Sequence, residues 1–444
     1  MRETKRVIVI GGGISGLGAA RELARHGCAV TLLEAGERLG GRIFTVKAAG
    51  EHQAIELGAE FVHGGNAQLR ALFRRAGVKM RAVSRTMAIA GNGRLGVSRN
   101  YWKTIAATMN KIPAGSRASF AEFLRSLGET LSRKDRREVR DYAESFNAGP
   151  ASRLSAAALR PEGGGAEQSQ HRPVGGYGQI IEHLEKELRA LKVTVLTKSR
   201  VSRVRWSAGR VRVSVKRARG RGDLSDYEAD ALVVTLPLGV LRAGAVRFSP
   251  ALKEKRALVR KLGFGGVARI TLQFDRAFWR RRVVATSNPA KRPGDFQFVR
   301  APDATFPVWW VPGAGPFIVG WAGGPAAARL GNASEAGRRA AAVRSLAGIW
   351  GVAQKKLRAH LLGAWTHDWA NDGDFRGAYS YAVAGQDEGA ARLAEAVAGT
   401  LYFAGEATAD EPGTVHGALA SGIAAAKKIV AKGRLERSSS RGGA

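Results

Sequence analysis

The sequence predicts an α/β fold with a doubly wound parallel sheet, and three stretches carry that prediction. Residues 7–10 are apolar and run into a glycine-rich turn, followed by an alanine-rich helical pattern. Residues 231–236 (ALVVTL) are typical of a buried strand, and so are residues 401–406 (LYFAGE), which precede a helix expected over about 415–430. Because these strands are far apart in the chain, we expect the sheet to be assembled from separated segments.

The turn after the first strand, Gly11-x-Gly13-x-x-Gly16, predicts a site for the pyrophosphate of a dinucleotide. Gly11 permits the tight turn, Gly13 lets the backbone approach the phosphates, and Gly16 lets the helix pack on the strand. The free N–H groups and the dipole of the helix N-terminus favour an anion there, so Ser15 is also expected in the site.

A second strand over residues 29–33 ends in Glu34, followed by Ala35. An acid about 20 residues beyond the glycines is placed to accept hydrogen bonds from a ribose, and its charge disfavours a 2′-phosphate. A chance glycine turn remains the alternative for the bare motif, but strand, helix, second strand and terminal acid occur here in register.

The rest of the chain predicts further elements. Ser132 and Asp135 have the spacing of a capping box inside a helical region. A polar, glycine-rich stretch over 161–172 indicates a loop. The expected elements are helices over 120–146, an amphipathic helix through 180–188, and strands over 193–196, 201–206 and 211–215.

Composition limits the class of protein. A chain of 444 residues with 45% hydrophobic residues is long enough for two domains. Its single cysteine, Cys28, excludes an internal disulfide, and the eight histidines lack ligand spacing, so no metal site is expected. We find no apolar signal core or stretch of transmembrane length, and expect a cytoplasmic protein.

The net charge is +34, from 71 Lys plus Arg against 37 Asp plus Glu. Such an excess attracts polyanions, so non-specific polyanion binding is one expectation. The charge is spread along the chain without a nucleic-acid-binding motif, so an arginine-rich solvated surface is the favoured interpretation.

Further motifs occur in a characteristic order. Together with the Gly11-x-Gly13-x-x-Gly16 turn, these motifs make the chain resemble the flavin-containing amine oxidases. This family includes monoamine oxidases, polyamine oxidases and lysine-specific histone demethylases. The resemblance covers nearly the whole chain and is thin from about 80 to 172. The motifs are ERLGGRIFT (37–45), ELGAEFVHG (56–64), VSRV (201–204), TLPLGVL (235–241), LGFGGVARITLQFDRAFW (262–279), WANDGDFRGAYSY (369–381) and FAGEATADEPGTVHGALASG (403–422).

This resemblance implies a bound FAD and a two-domain organisation. A discontinuous, Rossmann-like FAD-binding domain would comprise 1–78, 172–248 and 396–436. An inserted α+β substrate-binding domain would comprise 79–171 and 249–395, and 437–444 would be a disordered tail. Besides the residues of the glycine-rich turn, Ser15, Glu34 and Ala35, the resemblance implies further cofactor contacts. These are Gly41, Arg42, Gly58, Ala59, Glu60, Val201, Gly405, Glu406, Thr414 and Val415.

Three departures from the family pattern concern the chemistry. Ala378 stands where monoamine oxidases have the cysteine bonded to the flavin, so we expect a non-covalent FAD. Of the two tyrosines that form a cage around the substrate nitrogen, the chain matches one, Tyr379, while Thr414 occupies the other place. Arg269 stands where the family usually has a lysine beside flavin N5. Because arginine is a bulky, permanently charged fork, it cannot act as a base, and fast reaction with oxygen is in question.

The resemblance implies an amine oxidase in which hydride leaves the carbon next to the amine for flavin N5, and O2 reoxidises the flavin to give H2O2. Arg269, Tyr379 and Thr414 are the expected catalytic residues. Asp410 and Glu411 are candidates for attracting a small-molecule amine, although a solvated acidic turn is the plainer interpretation. The alternatives are an amino-acid oxidase or desaturase-like flavoenzyme, with Arg269 as a carboxylate ligand in the first, and a flavin-stabilised scaffold for polyanions. The substrate and the oligomeric state stay open.

Overall fold

The computed structural model describes residues 4–48, 53–64, 66–84, 86–91, 94–98, 100–161, 170–217, 224–281, 297–313 and 315–439. The strands are β1 (Arg6–Ile10), β2 (Ala29–Leu33), β3 (Thr45–Lys47), β4 (Ala54–Glu56), β5 (Val62–His63), β6 (Met80–Ala82), β7 (Met87–Gly91), β8 (Arg94–Val97), β9 (Gln170–Pro173), β10 (Thr194–Leu196), β11 (Ser199–Ser207), β12 (Arg210–Arg217), β13 (Leu224–Ala229), β14 (Ala231–Val234), β15 (Arg247–Ser249), β16 (Gly263–Gly265), β17 (Val267–Phe274), β18 (Phe298–Arg300), β19 (Val308–Trp310), β20 (Phe317–Gly323), β21 (Leu361–Thr366), β22 (Tyr379–Tyr381) and β23 (Leu401–Phe403).

The helices are α1 (Ile14–Arg25), α2 (Ala67–Arg75), α3 (Tyr101–Met109), α4 (Phe120–Ser126), α5 (Arg133–Asn147), α6 (Gly178–Ala190), α7 (Leu238–Arg242), α8 (Lys253–Lys261), α9 (Pro325–Leu330), α10 (Glu335–Trp350), α11 (Gln354–Ala359), α12 (Gly389–Ala394) and α13 (Val415–Ser439). Ser132 caps α5 by accepting a hydrogen bond from the Asp135 N–H at 3.0 Å.

A five-stranded sheet in the order β10-β2-β1-β14-β23 forms the first half of the molecule, and all its neighbours are parallel. Its strands are apolar on both faces because both faces are covered. Helices α1, α2, α6 and α13 contribute the core on one face. Helices α7 and α8 and the sheet β13-β12-β11-β15 contribute the core on the other. The predicted α/β fold with a parallel sheet is confirmed.

A seven-stranded sheet in the order β21-β17-β20-β19-β18-β7-β8 forms the second half. Its β17 is buried along its full length, as expected for a central strand covered on both faces. Helices α9, α10 and α11 pack in the core on one face. Helices α3, α4 and α5 pack on the other face, which is rich in aromatic side chains.

The two large sheets take their strands from different segments. The strands of the parallel sheet lie within 1–78, 172–248 and 396–436, and those of the seven-stranded sheet lie within 79–171 and 249–395. A small sheet in the order β5-β9-β6 uses strands from both sets of segments. The chain therefore passes between the two halves through a hydrogen-bonded sheet.

Two elements differ from the sequence expectation. Helix α13 continues to Ser439, so residues 437–439 of the expected disordered tail are helical, and 440–444 lie outside the described residues. A single glycine, Gly433, costs only about 1 kcal/mol in a helix and does not end it. In the expected loop over 161–172, residues 162–169 also lie outside the described part, and β9 begins at Gln170 because pairing with β5 and β6 outweighs its polar composition.

Candidate functional site

A cavity of about 440 Å³ is lined by residues from both large sheets. Its walls include the turns after β1, β2, β14 and β23, at the carboxyl ends of the parallel strands, where doubly wound folds bind ligands. They also include side chains of β17, β18, β19 and β20. One chamber thus connects the predicted dinucleotide turn to the second half of the molecule.

The predicted phosphate turn has the expected geometry. Gly11 has a φ of +104°, and a Cβ there would lie 2.5 Å from Thr235 Oγ1. At Gly13 a Cβ would meet nothing within 4 Å, so the backbone is open to the cavity. Ser15 also lines the cavity, and its buried Oγ has no hydrogen-bond partner among the described residues. Open backbone beside an orphaned hydroxyl at the start of α1 fits a pyrophosphate.

Gly16 does not line the cavity. A Cβ there would lie 1.9 Å from the carbonyl oxygen of Gly11, so its role is to let α1 pack against the turn, as the sequence predicts.

Glu34 is fixed at the end of β2 by two backbone donors. Its Oε2 accepts from the N–H of Gly12 at 2.6 Å, and its Oε1 accepts from the N–H of Gly36 at 2.7 Å. Since each carboxylate oxygen can accept a second hydrogen bond, Glu34 retains acceptors for ribose hydroxyls. Ala35 and Val201 line the same end of the cavity.

Glu406 lies after β23, and most of its acceptors are occupied by protein donors. Oε2 accepts from the N–H and hydroxyl of Ser380 and from the N–H of Gly413, while Oε1 accepts from Arg42 Nη1 at 2.8 Å. Burial opposes the ionised form, but Arg42 and Ser380 outweigh it and hold the pKa of Glu406 below its ordinary value. One lone pair of Oε1 is left for a cofactor hydroxyl.

Arg42 points its guanidinium to Glu406 and to the carbonyl oxygen of Ala378, at 2.7 Å from the latter. Gly41 lies beside Gly13, because a Cβ on Gly41 would be 3.3 Å from the Gly13 Cα. The second glycine motif is therefore folded directly against the first.

The cavity wall continues through Gly58, Ala59 and Gly405, and through Thr414 and Val415 at the start of α13. Thr414 Oγ1 donates to the carbonyl oxygen of Glu411 at 2.8 Å and accepts from the N–H of Gly417 at 3.0 Å. The hydroxyl of Thr414 is thus used to hold the beginning of α13.

Arg269 is buried and held in place by fixed partners. Its Nη2 donates to Glu60 Oε2 at 2.7 Å and its Nη1 to the carbonyl oxygen of Gly58 at 3.1 Å. Glu60 also has Arg172 Nε at 2.7 Å and accepts from Trp310 Nε1 at 3.0 Å. Although burial opposes its charge, the two guanidiniums hold the pKa of Glu60 below its ordinary value. Glu60, Arg172 and Arg269 form a charged cluster, named here the Glu60 cluster.

Tyr379 presents its ring to the cavity while its hydroxyl donates to the carbonyl oxygen of Phe146 at 2.7 Å. Burial raises the pKa of Tyr379, so the phenol stays neutral. Around it the chamber is lined by further aromatic side chains, namely Phe61, Trp102, Tyr142, Phe146, Phe298, Trp310 and Trp321.

Sequence reasoning did not single out two histidines that line this chamber, His63 and His416. Burial, with a smaller effect of His416, lowers the pKa of His63 to about 4, so its imidazole is neutral at pH 7. His416 lies 3.0 Å, through Nε2, from Glu411 Oε2. His63 stands in the quoted ELGAEFVHG motif, which was the one signal that could have found it. Asp410 and Glu411 are not among the residues that line the cavity.

In the described part of the chain, no group of three or more His, Cys, Asp or Glu side chains is placed to hold a metal ion. None of the described helices is long and apolar enough to cross a membrane.

The turn at Gly13, the orphaned Ser15 hydroxyl and the fixed carboxylate of Glu34 are features of a dinucleotide-binding protein. The family model for flavin containing amine oxidoreductase matches residues 14–430. The chain belongs to this family, which implies a flavin cofactor.

Similar proteins fall into two groups. Lysine-specific histone demethylase 1 homolog 2 from Oryza sativa subsp. japonica is 27% identical over 96% of this chain and 57% of its own length. Polyamine oxidase 4 from the same organism is 28% identical over 95% of this chain and 87% of its own. The solved structure of wild-type putrescine oxidase bound to putrescine is 20% identical, with a TM-score of 0.76 over 97% of this chain and 99% of that one. The chain spans 57% and 54% of the lengths of two of the demethylases that it matches.

Proposed function

We propose that this protein is an FAD-dependent amine oxidase that converts a small-molecule amine to an imine. The observation that carries the proposal is the single cavity that joins the Gly13 turn and Glu34 to the aromatic chamber around Tyr379. The family supports it, as do similarities to a polyamine oxidase and to a putrescine oxidase solved with putrescine.

When bound, the flavin supplies the acceptor for two electrons from the carbon next to the amine. The cofactor is proposed to contact Gly11, Gly13, Ser15, Glu34, Ala35, Gly41 and Val201 at one end, with Gly16 as packing support. Its further contacts would be Arg42, Gly58, Ala59, Glu60, Gly405, Glu406, Thr414 and Val415.

The residues of the chamber bind the amine and keep water away from it. The Tyr379 ring offers an apolar and π surface, and its hydroxyl is fixed by Phe146. Neutral His63 can accept a hydrogen bond from the N–H of an uncharged amine. Such an amine carries the free electron pair that the oxidation requires.

We propose O2 as the electron acceptor, with H2O2 as product, and a non-covalent FAD. Ala378 offers no sulfur at the flavin, and Cys28 packs against the core beside α1 rather than lining the cavity. The alternative in which Arg269 binds the carboxylate of an α-amino acid loses support, because Glu60 and Gly58 already occupy that guanidinium.

The test is a screen of amines under anaerobic conditions, with flavin absorbance as the readout. We expect a yellow protein whose flavin is bleached by at least one primary or secondary amine. Acid precipitation should leave all the FAD in the supernatant. Glu34→Ala, which lacks the ribose acceptor, should yield apoprotein and serves as the control for bleaching by free flavin. A protein that no amine reduces would refute the enzyme proposal, and a yellow pellet would refute the non-covalent cofactor.

A further inference from the structure

The cavity continues beyond the aromatic chamber to a buried cation, Arg300. Arg300 lies on β18 two residues after Phe298, so both side chains are on the same face of the sheet. Its neighbour across the sheet is Val308 of β19, which also lines the cavity. The wall of the cavity therefore includes a positive charge that is not part of the Glu60 cluster.

Arg300 has few partners for five N–H donors. Its ion-pair partner in the described chain is Asp141, 3.8 Å away, which is longer than a hydrogen bond. That carboxylate also lies 3.7 Å from Arg137 Nε and 3.8 Å from Arg140 Nε. No hydrogen bond from the Arg300 guanidinium to a described side chain or carbonyl occurs. A guanidinium that faces a cavity, in a side chain only 5% exposed and with its carboxylate partner beyond hydrogen-bond distance, favours an added anion.

A second polar group lines the same cavity. Tyr101, at the start of α3, is buried, and its hydroxyl has no hydrogen-bond partner among the described residues. Burial raises the pKa of Tyr101, and the nearby Arg300 guanidinium opposes part of that rise. The phenol is thus a neutral donor within electrostatic reach of the guanidinium.

We propose that Arg300 and Tyr101 form a subsite for a carboxylate at the far end of the amine substrate. This inference rests on the proposed function and names the substrate class, which is an amine with a remote acidic group. A guanidinium fork matches a planar carboxylate, and a phenol adds a further donor. The subsite is separate from the cofactor residues and from the Glu60 cluster.

The position of Arg300 on β18 favours a remote carboxylate over that of an α-amino acid. The ring of Phe298 lies 6.2 Å from that of Trp310, which bonds to Glu60 beside Arg269. Two residues along a strand add about 6.6 Å, so the base of the Arg300 side chain lies on the order of 10 Å from the Trp310 ring. In an α-amino acid the carboxylate is attached to the reacting carbon and cannot reach that far.

The same charge disfavours diamines. A second ammonium group at the end of a diamine would meet Arg300 instead of a carboxylate. Acidic groups near Arg300, Asp141 and Glu138 of α5, do not line the cavity. The subsite therefore selects an amine carboxylate over a diamine of equal length.

The experiment uses holoenzyme and three matched substrates: 6-aminohexanoate, hexylamine and 1,6-diaminohexane. Anaerobic stopped-flow reduction of the flavin gives the apparent Kd of each. We expect 6-aminohexanoate to bind at least about tenfold more tightly than hexylamine, as charged hydrogen bonds imply. The diamine should bind most weakly.

Two variants test the residue. Arg300→Met should abolish the preference for the carboxylate, and Arg300→Lys should keep part of it. Arg140→Met is the matched control, because Arg140 shares Asp141 but is half exposed and outside the cavity, so the preference should persist. Flavin content and far-ultraviolet circular dichroism check the folding of each variant.

The outcomes separate the two proposals. Amine reduction without a carboxylate preference, or a preference that survives in Arg300→Met, would overturn the subsite and leave the amine oxidase intact. If no amine reduces the flavin, the subsite is still tested by titration calorimetry with hexanoate. Weaker binding to Arg300→Met than to native protein supports it, and equal binding overturns it.

Discussion

Glu60 neutralises only one of the two guanidiniums that surround it. Arg269 and Arg172 approach it from β17 and β9, and Trp310 donates to the same carboxylate. Removing one member of a buried ion pair typically costs about 3–5 kcal/mol, because it leaves the partner charge uncompensated. The cluster therefore fixes the position of Arg269 at the wall of the cavity.

Replacing Arg269 by lysine tests how this cluster affects the reduced flavin. A compact ammonium cannot span Glu60 and the Gly58 carbonyl as the guanidinium does, so it leaves room for a water beside the proposed position of the flavin. We expect Arg269→Lys to speed reoxidation by O2 by at least about tenfold, equal to roughly 1.4 kcal/mol in the barrier. Stopped-flow mixing of reduced enzyme with oxygen measures this rate.

Arg172→Lys is the control for that experiment. Arg172 also pairs with Glu60 but does not line the main cavity. The reoxidation rate of this variant should therefore stay within about twofold of the native rate, well below the tenfold increase expected for Arg269→Lys. Equal or slower reoxidation in Arg269→Lys would mean that Arg269 lies away from the flavin or suits another acceptor.

Individual site residues could be predicted from the sequence, but the ion pairs between them could not. Arg269 and Glu60 were both predicted at the flavin, yet their ion pair was not, because spacing says nothing about contacts between distant segments. Arg172 was expected in a loop. Arg300 was missed because the sequence around it does not distinguish it from the many surface arginines of this chain.

Two glycines at the start of helix α1 have separable effects: Gly13 precedes the helix as its N-cap, and Gly16 lies inside it. Gly13→Asp should give a folded protein without flavin, because a Cβ there meets nothing while a carboxylate repels the pyrophosphate. Gly16→Ala should lose flavin and also have a lower melting temperature, because its Cβ would overlap the Gly11 carbonyl. Flavin absorbance and thermal denaturation followed by circular dichroism measure the two effects.

Normal flavin content in Gly13→Asp would contradict the predicted role of this turn in binding the cofactor. Gly27→Ala is a useful comparison for thermal stability alone: it also has open space around the glycine but a φ of +79°, which strains any side chain, and it lies outside the cavity. It should therefore lose stability and keep its flavin.

Elements with strong local signals were predictable. The strands β1, β14 and β23 follow from apolar runs, and α1 from its alanine-rich pattern. The short strand β9 was not, because hydrogen bonds to β5 and β6 decide its conformation. Tertiary pairing of this kind leaves no period in the sequence.

For the whole molecule, the charge of +34 predicts weak, sequence-indifferent binding to polyanions. If about six phosphates are engaged, affinity for DNA should fall roughly 10³-fold between 50 and 200 mM salt. Fluorescence anisotropy with two unrelated DNA duplexes measures both the salt slope and the indifference to sequence. An affinity that does not change with salt would mean that the charge forms only a solvated basic surface. A preference for one duplex would indicate base recognition.

The discontinuous parallel sheet has a consequence for synthesis on the ribosome. Strand β14 keeps an unpaired edge until Leu401–Phe403 emerges, and α1 lacks its cover until Ala418, Leu419 and Ala426 of α13 have been made. A nascent chain in this state exposes a strand edge and an apolar helix face, both of which promote aggregation. The half that contains the parallel sheet therefore cannot mature ahead of the rest, and a premature stop anywhere before β23 turns the product into a client of chaperones and proteases.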